Sequence, residues 1–402
     1  MHVHAKSTSA RDKPPAWRRA VAALGLTSEQ AEFLAAHDFD AESFLELQDR
    51  VRRGAVSETS AIYTGRLEIP PREAIPDLPG RGAPAAEELA SAGDAAFRRG
   101  EVAVVVIAGG MATRFGGGVK AAVDVVPGCS FLQAKLKDAR ETGRRANVEI
   151  PFCVMTSFAT KDGIVRHILD RGLDGPDIHI FEQSASIRLT PEGEIFRGKD
   201  GEPSYYAPGH GDFFEAFRKC GLRDELAAKG VRYLFFSNVD NLGATLDPRI
   251  IGYHVRHGRD MTAEVTPNIG QDKAGCAVVA DGRLRLMEGF RLPENAPPFP
   301  DLSINTFVFS VDALAREIPL VSYLVRKEVE GCPALQAERV TCEATEALDA
   351  EGNPLLSLAC IRVPRSGRRG SFFDGRFYPV KEPADLERVR EQLLETTRSQ
   401  RP

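Results

Sequence analysis

The sequence predicts an α/β protein with a mostly parallel central sheet, and three observations carry that prediction. Short apolar runs at 102–108, 151–156, 177–181 and 231–237 are interleaved with helix-periodic stretches at about 131–145 and 160–171, an alternation typical of strand–helix–strand crossovers. The first run empties into the glycine-rich string VIAGGMATRFGGGVKAA, residues 106–122. The last ends in the polar string Asn238-Val239-Asp240-Asn241. Segments just past the C-terminal ends of strands are where open α/β sheets take ligands.

The remaining elements follow in order. Residues 17–54 read as packing helices: Thr27 and Gln30 make a capping box ahead of Ala31, Phe33 and Leu34, and Asp40 precedes Phe44, Leu47 and Val51 at helical spacing. Prolines at 70, 71, 76, 79 and 84 forbid a continuous helix from Ile69 to Pro84 and predict a linker or a strap laid over another surface. A helix over 85–99 leads into the first core strand. Residues 261–310 mix short alternating runs with turns such as Asp281-Gly282, which predicts a smaller, more antiparallel layer on the main sheet. Residues 383–398 read as one surface helix. No internal repeat is present.

Composition limits the partners. A net charge of -5 over 402 residues argues against bulk attraction to nucleic acid and leaves a small anionic ligand open. No run approaches the roughly 20 apolar residues of a membrane span, and the N-terminal MHVHAKSTSARDKPPAW lacks the apolar stretch of a secretion signal. Seven cysteines are scattered with no C-x-x-C pair, so neither a zinc knuckle nor a disulfide framework is signalled, and a reduced, cytoplasmic setting is expected.

Four segments carry candidate chemistry. The glycine loop is neither a Walker A loop, because Lys120 lies between Val119 and Ala121, nor a dinucleotide fingerprint. Its bare amides, with Arg114 and Lys120, suit the oxygens of a polyphosphate. In YYAPGHGDFFEAF, residues 205–217, Gly209 and Gly211 let backbone approach a ligand beside His210, and Asp212 is placed to cap the next helix; the plainer reading is a capped helix start with a solvent-facing His210. In FFSNVDNLGATLDP, residues 235–248, Asp240 is a candidate Mg²⁺ ligand, or Asn238 and Asp240 merely form an Asx-turn. In GRFYPVKEPADL, residues 375–386, Pro379 and Pro383 stiffen the backbone around Lys381, which is either aimed at a ligand or ordinary solvated surface.

Taken in chain order, Ile107-Ala108-Gly109-Gly110, Lys120, FEQS (Phe181–Ser184), PGHGD (Pro208–Asp212), SNVDNLGATLDP, GRLRLME (Gly282–Glu288) and GRFYPVK resemble the UTP–glucose-1-phosphate uridylyltransferase family over about residues 96–390. The resemblance implies a Rossmann-like nucleotidyltransferase of GT-A type that joins UTP and a sugar 1-phosphate into a UDP-sugar and pyrophosphate with Mg²⁺. It divides the chain into a helical N-terminal extension and proline-rich linker (1–95), a catalytic domain (96–385) and a C-terminal helix (386–402). It implies that Ile107, Ala108, Gly109 and Gly110 cradle UTP, that Lys120 and Lys381 meet its phosphates, and that Gln183 and Gly209 contact the nucleoside. His210 is similar to the residue meeting the sugar 1-phosphate, Asn238 and Asp240 to the pair beside nucleotide and metal, and Glu288 and Asn305 to sugar contacts.

The chain departs from the family's pattern at Ala112, usually Gly, and Val119, usually Pro, while SINTFVF (Ser303–Phe309) matches the sugar-side motif in part. Too few residues follow Lys381 for the left-handed β-helix by which relatives assemble, so a monomer or weak dimer is expected. Two alternatives stand beside glucose 1-phosphate: the same reaction on an N-acetylhexosamine 1-phosphate, or a UDP-sugar-binding regulatory protein of weak catalysis. A glycosyltransferase of related fold is a third, against which stands Asn238-Val239-Asp240 where such enzymes carry D-x-D.

Overall fold

The computed structural model describes residues 1–4, 9–111, 115, 117–270, 274–366 and 375–390. The chain opens with β1 (His2–His4), runs through α1 (Pro15–Ala23), α2 (Ser28–Ala36) and α3 (Ala41–Arg52), and continues with β2 (Leu67–Glu68) and α4 (Pro84–Arg98). Then come β3 (Val102–Ile107), the ribbon β4 (Asp124–Val126) and β5 (Cys129–Ser130), α5 (Phe131–Ala146), β6 (Phe152–Thr156), α6 (Lys161–Asp170) and β7 (Ile178–Glu182). A second ribbon, β8 (Ser186–Ile187) and β9 (Tyr205–Tyr206), precedes α7 (Phe213–Lys219), α8 (Leu222–Ala228), β10 (Tyr233–Asn238) and α9 (Pro248–His257). The last strands are β11 (Met261–Pro267), β12 (Cys276–Ala280), β13 (Arg283–Met287), β14 (Asp301–Ser310), β15 (Tyr323–Val329), β16 (Cys332–Glu338) and β17 (Leu358–Arg362). A helix over 383–390 follows; the remainder of the predicted C-terminal helix lies outside the described residues.

One sheet has the order β1-β7-β6-β3-β10-β14-β11-β17, with β12, β13 and β2 branching from it. From β1 to β10 every pairing is parallel, whereas β14 runs antiparallel to both β10 and β11. The 261–310 region is therefore no separate layer. Phe307, Val308 and Phe309 are buried on both faces of β14, so β14 and β11 extend the main sheet itself, and the predicted hairpin at Asp281-Gly282 joins β12 to β13.

Alternation along the strands sorts the core. Val102, Val104 and Val106 of β3 face one side, with residues of α4, α5, α6 and α9; Ala103 and Val105 face the other, with α7 and α8. The N-terminal helices build a third core of Trp17, Leu34, Phe39 and Phe44 against Ile187, Leu189, Leu324 and Leu335. Their predicted capping box is present at Thr27 and Gln30. The proline-rich segment is a strap: Ile75 is buried, and the Leu78 amide donates to the Arg362 carbonyl at 2.8 Å. No helix among the described residues is long and apolar enough to cross a membrane. None of the seven cysteines is in a disulfide.

From residue 375 the chain returns to the sheet through Arg376, only 2% exposed. Its guanidinium grips the Glu264 carboxylate of β11 with both Nε and Nη2, the latter at 2.6 Å, and Nη2 also donates to the Thr245 carbonyl at 3.0 Å. Removing one member of such a pair strands a buried charge. Glu264→Leu is expected to destabilise the protein by about 3–5 kcal/mol, read by chemical denaturation.

Candidate active site

Six of the predicted residues, His210, Asn238, Asp240, Glu288, Asn305 and Lys381, line one cleft. The Ile107 carbonyl closing β3 accepts from the Val239 amide at 3.1 Å, and the Ala108 amide donates to the Met155 carbonyl at 2.8 Å. Beyond them Gly109 and Gly110 leave the sheet. A Cβ on Gly109 would stand 2.0 Å from Gln183 Nε2, so only glycine lets that amide lie against the loop. Gln183 is buried, and its Oε1 has no hydrogen-bond partner among the described residues. The loop returns through a bridge between Met111 and Val119 and places the Lys120 ammonium on the Asp240 carboxylate. Ala112 and Arg114 lie outside the described residues.

The string after β10 is organised by two residues that sequence reading passed over. Lys135 of α5, buried, donates to the Asn241 and Ala244 carbonyls, both at 2.6 Å, and burial pulls its ammonium down to about 8. Asn241 joins this turn to the C-terminal segment: its Nδ2 donates to the Arg376 carbonyl at 3.2 Å, and its Oδ1 accepts from the Tyr378 amide at 3.0 Å. Oδ1 also accepts from the Gly243 amide at 3.2 Å, so the Asx-turn is at Asn241 rather than at Asn238 or Asp240. The Val380 amide donates to the Asp240 carbonyl at 3.1 Å. Lys381 is thereby delivered to the rim of the same cleft, solvent-exposed, as the helix over 383–390 begins.

Gly209 adopts φ 103°, and a Cβ there would meet the Arg339 carbonyl at 2.7 Å. Next to it, His210 Nδ1 accepts from the Thr341 amide at 3.1 Å and lies 2.8 Å from Thr341 Oγ1. An Nδ1 that accepts an amide hydrogen leaves the ring proton on Nε2. Burial holds this imidazole below its ordinary pKa, so it is a neutral donor lining the cleft rather than a solvent-facing side chain. Asp212 does not cap α7, as its position predicts. Its carboxylate instead accepts from the Ser184 amide at 2.6 Å and hydroxyl at 2.9 Å and pairs with Arg339 at 3.3 Å, tying this turn to the segment after β7.

The fourth wall comes from β12–β14. The register between β11 and β14 slips where Ala263 faces Phe307 but Val265 faces Ser303, and within that bulge Asn305 takes φ 50°. The bulge aims the Asn305 amide at Asn238, Nδ2 to Oδ1 at 2.7 Å. Glu288, just past β13, accepts from Cys342 Sγ at 3.4 Å. One cleft is lined by His210, Asn238, Asp240, Glu288, Asn305 and Lys381. Lys120 reaches it through Asp240, whereas Gln183 lines a different cavity, with Lys161 and Glu182. Thr341, the support of His210, has no signal in the sequence.

This convergence agrees with a family model described as UTP–glucose-1-phosphate uridylyltransferase, which matches residues 42–400. The chain belongs to that family. It is 30% identical over 316 residues to the UTP–glucose-1-phosphate uridylyltransferase of Solanum tuberosum, covering 74% of this chain and 62% of the relative, so it spans about six-tenths of that protein's length. The uridylyltransferase of Hordeum vulgare is 27% identical over 406 residues, covering 97% of this chain and 79% of the relative. Among solved structures, a UDP-N-acetylglucosamine pyrophosphorylase from Trypanosoma brucei superposes with TM-score 0.72 at 19% identity, over 96% of this chain and 85% of that one. A UDP-glucose phosphorylase from Trypanosoma brucei gives TM-score 0.68 at 23% identity, over 93% and 78%. These likenesses establish that the chain shares the fold of those structures, a mixed α/β fold with a mostly parallel central sheet.

The low pKa of His210 has a signed consequence. Between its depressed folded pKa and the unfolded value of about 6.5, the unfolded chain binds a proton that the folded family member excludes, so stability falls as pH drops through this window. His210→Gln should flatten that part of the profile, measured as denaturation midpoints at pH 5 and pH 7.

Proposed function

We propose that this chain transfers a uridylyl group from UTP to glucose 1-phosphate, giving UDP-glucose and pyrophosphate. The observation that carries the reading is the meeting of His210, Asp240 and Lys381 in one cleft, with the Lys120 ammonium on the Asp240 carboxylate and the Lys120 amide on the Gly110 carbonyl at 3.4 Å. All of these groups come from a single chain, and we assign the chemistry to residues 96–385. Gln183, whose Nε2 lies against Gly109 and whose buried Oε1 is without a hydrogen-bond partner among the described residues, is suited to an N–H of a pyrimidine base.

The chemistry needs no strong base. A sugar phosphate has a second pKa of about 6 and is mostly dianionic at neutral pH, so its oxygen can attack the α-phosphorus directly. What the protein supplies is position and charge. His210 Nε2–H donates to the incoming phosphate and moves no proton. Amides at Gly109 and Gly110 donate to the triphosphate, while Lys120 and Lys381 offset the charge that grows on the leaving pyrophosphate. Asn305 fixes the Asn238 amide, and Glu288, held by Cys342, accepts from a sugar hydroxyl.

The donor set also fits Mg²⁺. Asp240 offers a hard carboxylate oxygen in the cleft, and Mg²⁺ is habitually held by one or two carboxylates together with substrate phosphates. Asp240 would hold the ion, which when bound supplies further charge neutralisation at the phosphates. Until ligands arrive, the Lys120 ammonium balances that carboxylate.

A pyrophosphate-release assay across glucose, N-acetylglucosamine and other sugar 1-phosphates with all four nucleoside triphosphates tests the reading. Release is expected with UTP and glucose 1-phosphate; preference for an N-acetylhexosamine 1-phosphate would reassign the sugar, and binding of UDP-glucose without turnover would make the chain a regulator. Lys381→Ala is expected to lower kcat by about 10²-fold or more with an unchanged melting temperature, because its exposed ammonium acts on charge formed in the transition state. Asp240→Asn should slow turnover far more than it weakens nucleotide binding, read from steady-state kinetics beside calorimetric titration with UTP.

A further inference from the structure

At the β1 edge of the sheet, two imidazoles and a carboxylate converge that the proposed chemistry does not use. His4 of β1 and His179 of β7 face each other with Nε2 and Nδ1 3.0 Å apart. The Glu225 carboxylate of α8 approaches both, at 3.8 Å from His4 Nδ1 and 3.9 Å from His179 Nδ1. One donor atom from each of the three lies within 4.8 Å of the others. The cluster is sheltered: His179 is 1% exposed, and His4 is half-buried.

These separations suit a metal ion. Zinc–nitrogen distances of about 2.0–2.1 Å in a tetrahedron put neighbouring donors roughly 3.3 Å apart. His179 Nδ1 stands 3.0 Å from His4 Nε2 and 3.9 Å from Glu225 Oε1, two spacings that bracket that edge length. The supporting elements are also in place. β1 pairs with β7 in register, His2 opposite His179 and His4 opposite Phe181. His2 stacks on the His179 ring with centroids 5.0 Å apart, which fixes that ring's plane. Lys229 holds Glu225 Oε1 at 2.7 Å and leaves Oε2 toward His4. A tautomer shift in whichever ring donates the shared proton frees both facing nitrogens for a metal.

We propose that His4, His179 and Glu225 form a zinc site, its fourth position taken by water, that ties the N-terminal strand to the sheet edge. Two imidazoles and one carboxylate make a nitrogen–oxygen donor set that zinc accepts readily. The site joins three segments far apart in sequence, and its anchoring role is independent of the uridylyl-transfer reading.

The test uses the untagged full chain, stripped with EDTA and desalted. Titration with Zn²⁺ by calorimetry is expected to show one equivalent bound, and Co²⁺ in its place should give the visible absorption of a tetrahedral ion. His4→Ala and Glu225→Gln should each weaken Zn²⁺ binding roughly tenfold or more, while Asp240→Asn leaves it unchanged. Zn²⁺ should also slow hydrogen exchange at Val3 and His4. His4→Ala, at the sheet edge, should keep the parent's melting temperature measured without metal, which separates loss of a ligand from loss of the fold. Absence of stoichiometric binding to the parent, or binding indifferent to both His4→Ala and Glu225→Gln, overturns the proposal.

Discussion

A guanidinium and a carboxylate buried together, Arg376 on Glu264, anchor the far end of the described chain to β11, one strand in from the β17 edge of the sheet. Everything that brings Lys381 within reach of Asp240 passes through this anchor. Once Arg376 is seated, its carbonyl and the Tyr378 amide present themselves to Asn241, and the Val380 amide to the Asp240 carbonyl. A desolvated ion pair contributes little net stability over an apolar substitute, yet it is geometrically exacting. That suits a site in which a lysine must come to bear on residues more than 130 positions earlier.

The cleft keeps its own charges balanced. Lys120 rests on Asp240, and burial keeps His210 neutral. To the two anions of the proposed reaction the cleft therefore presents donors without a strong net field. Asn241, Thr341, Lys135 and Cys342 contribute by holding other groups: the strand-end turn, the histidine tautomer, the buried carbonyls and the Glu288 carboxylate. Preorganised donors of this kind need not reorganise when charge develops, which is the main catalytic advantage available to a phosphoryl-type transfer.

Much of this was legible in one dimension. The alternation of apolar strands and amphipathic helices named the parallel half of the sheet, because side chains of period two and period 3.6 are printed directly in the order of residues. The glycine loop, PGHGD and the string after β10 named the strand ends, because bare backbone and short polar side chains have few other uses there. The antiparallel character of residues 261–310 was legible as well, but not that β14 and β11 extend the main sheet instead of forming a layer on it. Nothing local in β14 says that both of its faces are covered, and the bulge that turns Asn305 toward Asn238 exists only as a mismatch of register with β11. Asp212 looked like a helix cap because a carboxylate before a helix usually is one; in the folded chain the Ser184 amide, nearly 30 residues earlier, competes for it and wins.

What the sequence by itself determined is the fold class, the family and the identity of the groups at the strand ends, since these follow from local pattern and from motifs that carry their own chemistry. What only the tertiary structure decided is which of those groups face one another. It set Lys120 on Asp240, gave His210 its proton on Nε2 through the Thr341 amide, and placed Gln183 against Gly109. It also assembled His4, His179 and Glu225 from a strand, a second strand and a helix. The reason is physical: hydrogen bonds and ion pairs act over a few ångströms, and chain separation carries no information about which distant donors and acceptors packing will bring within that range.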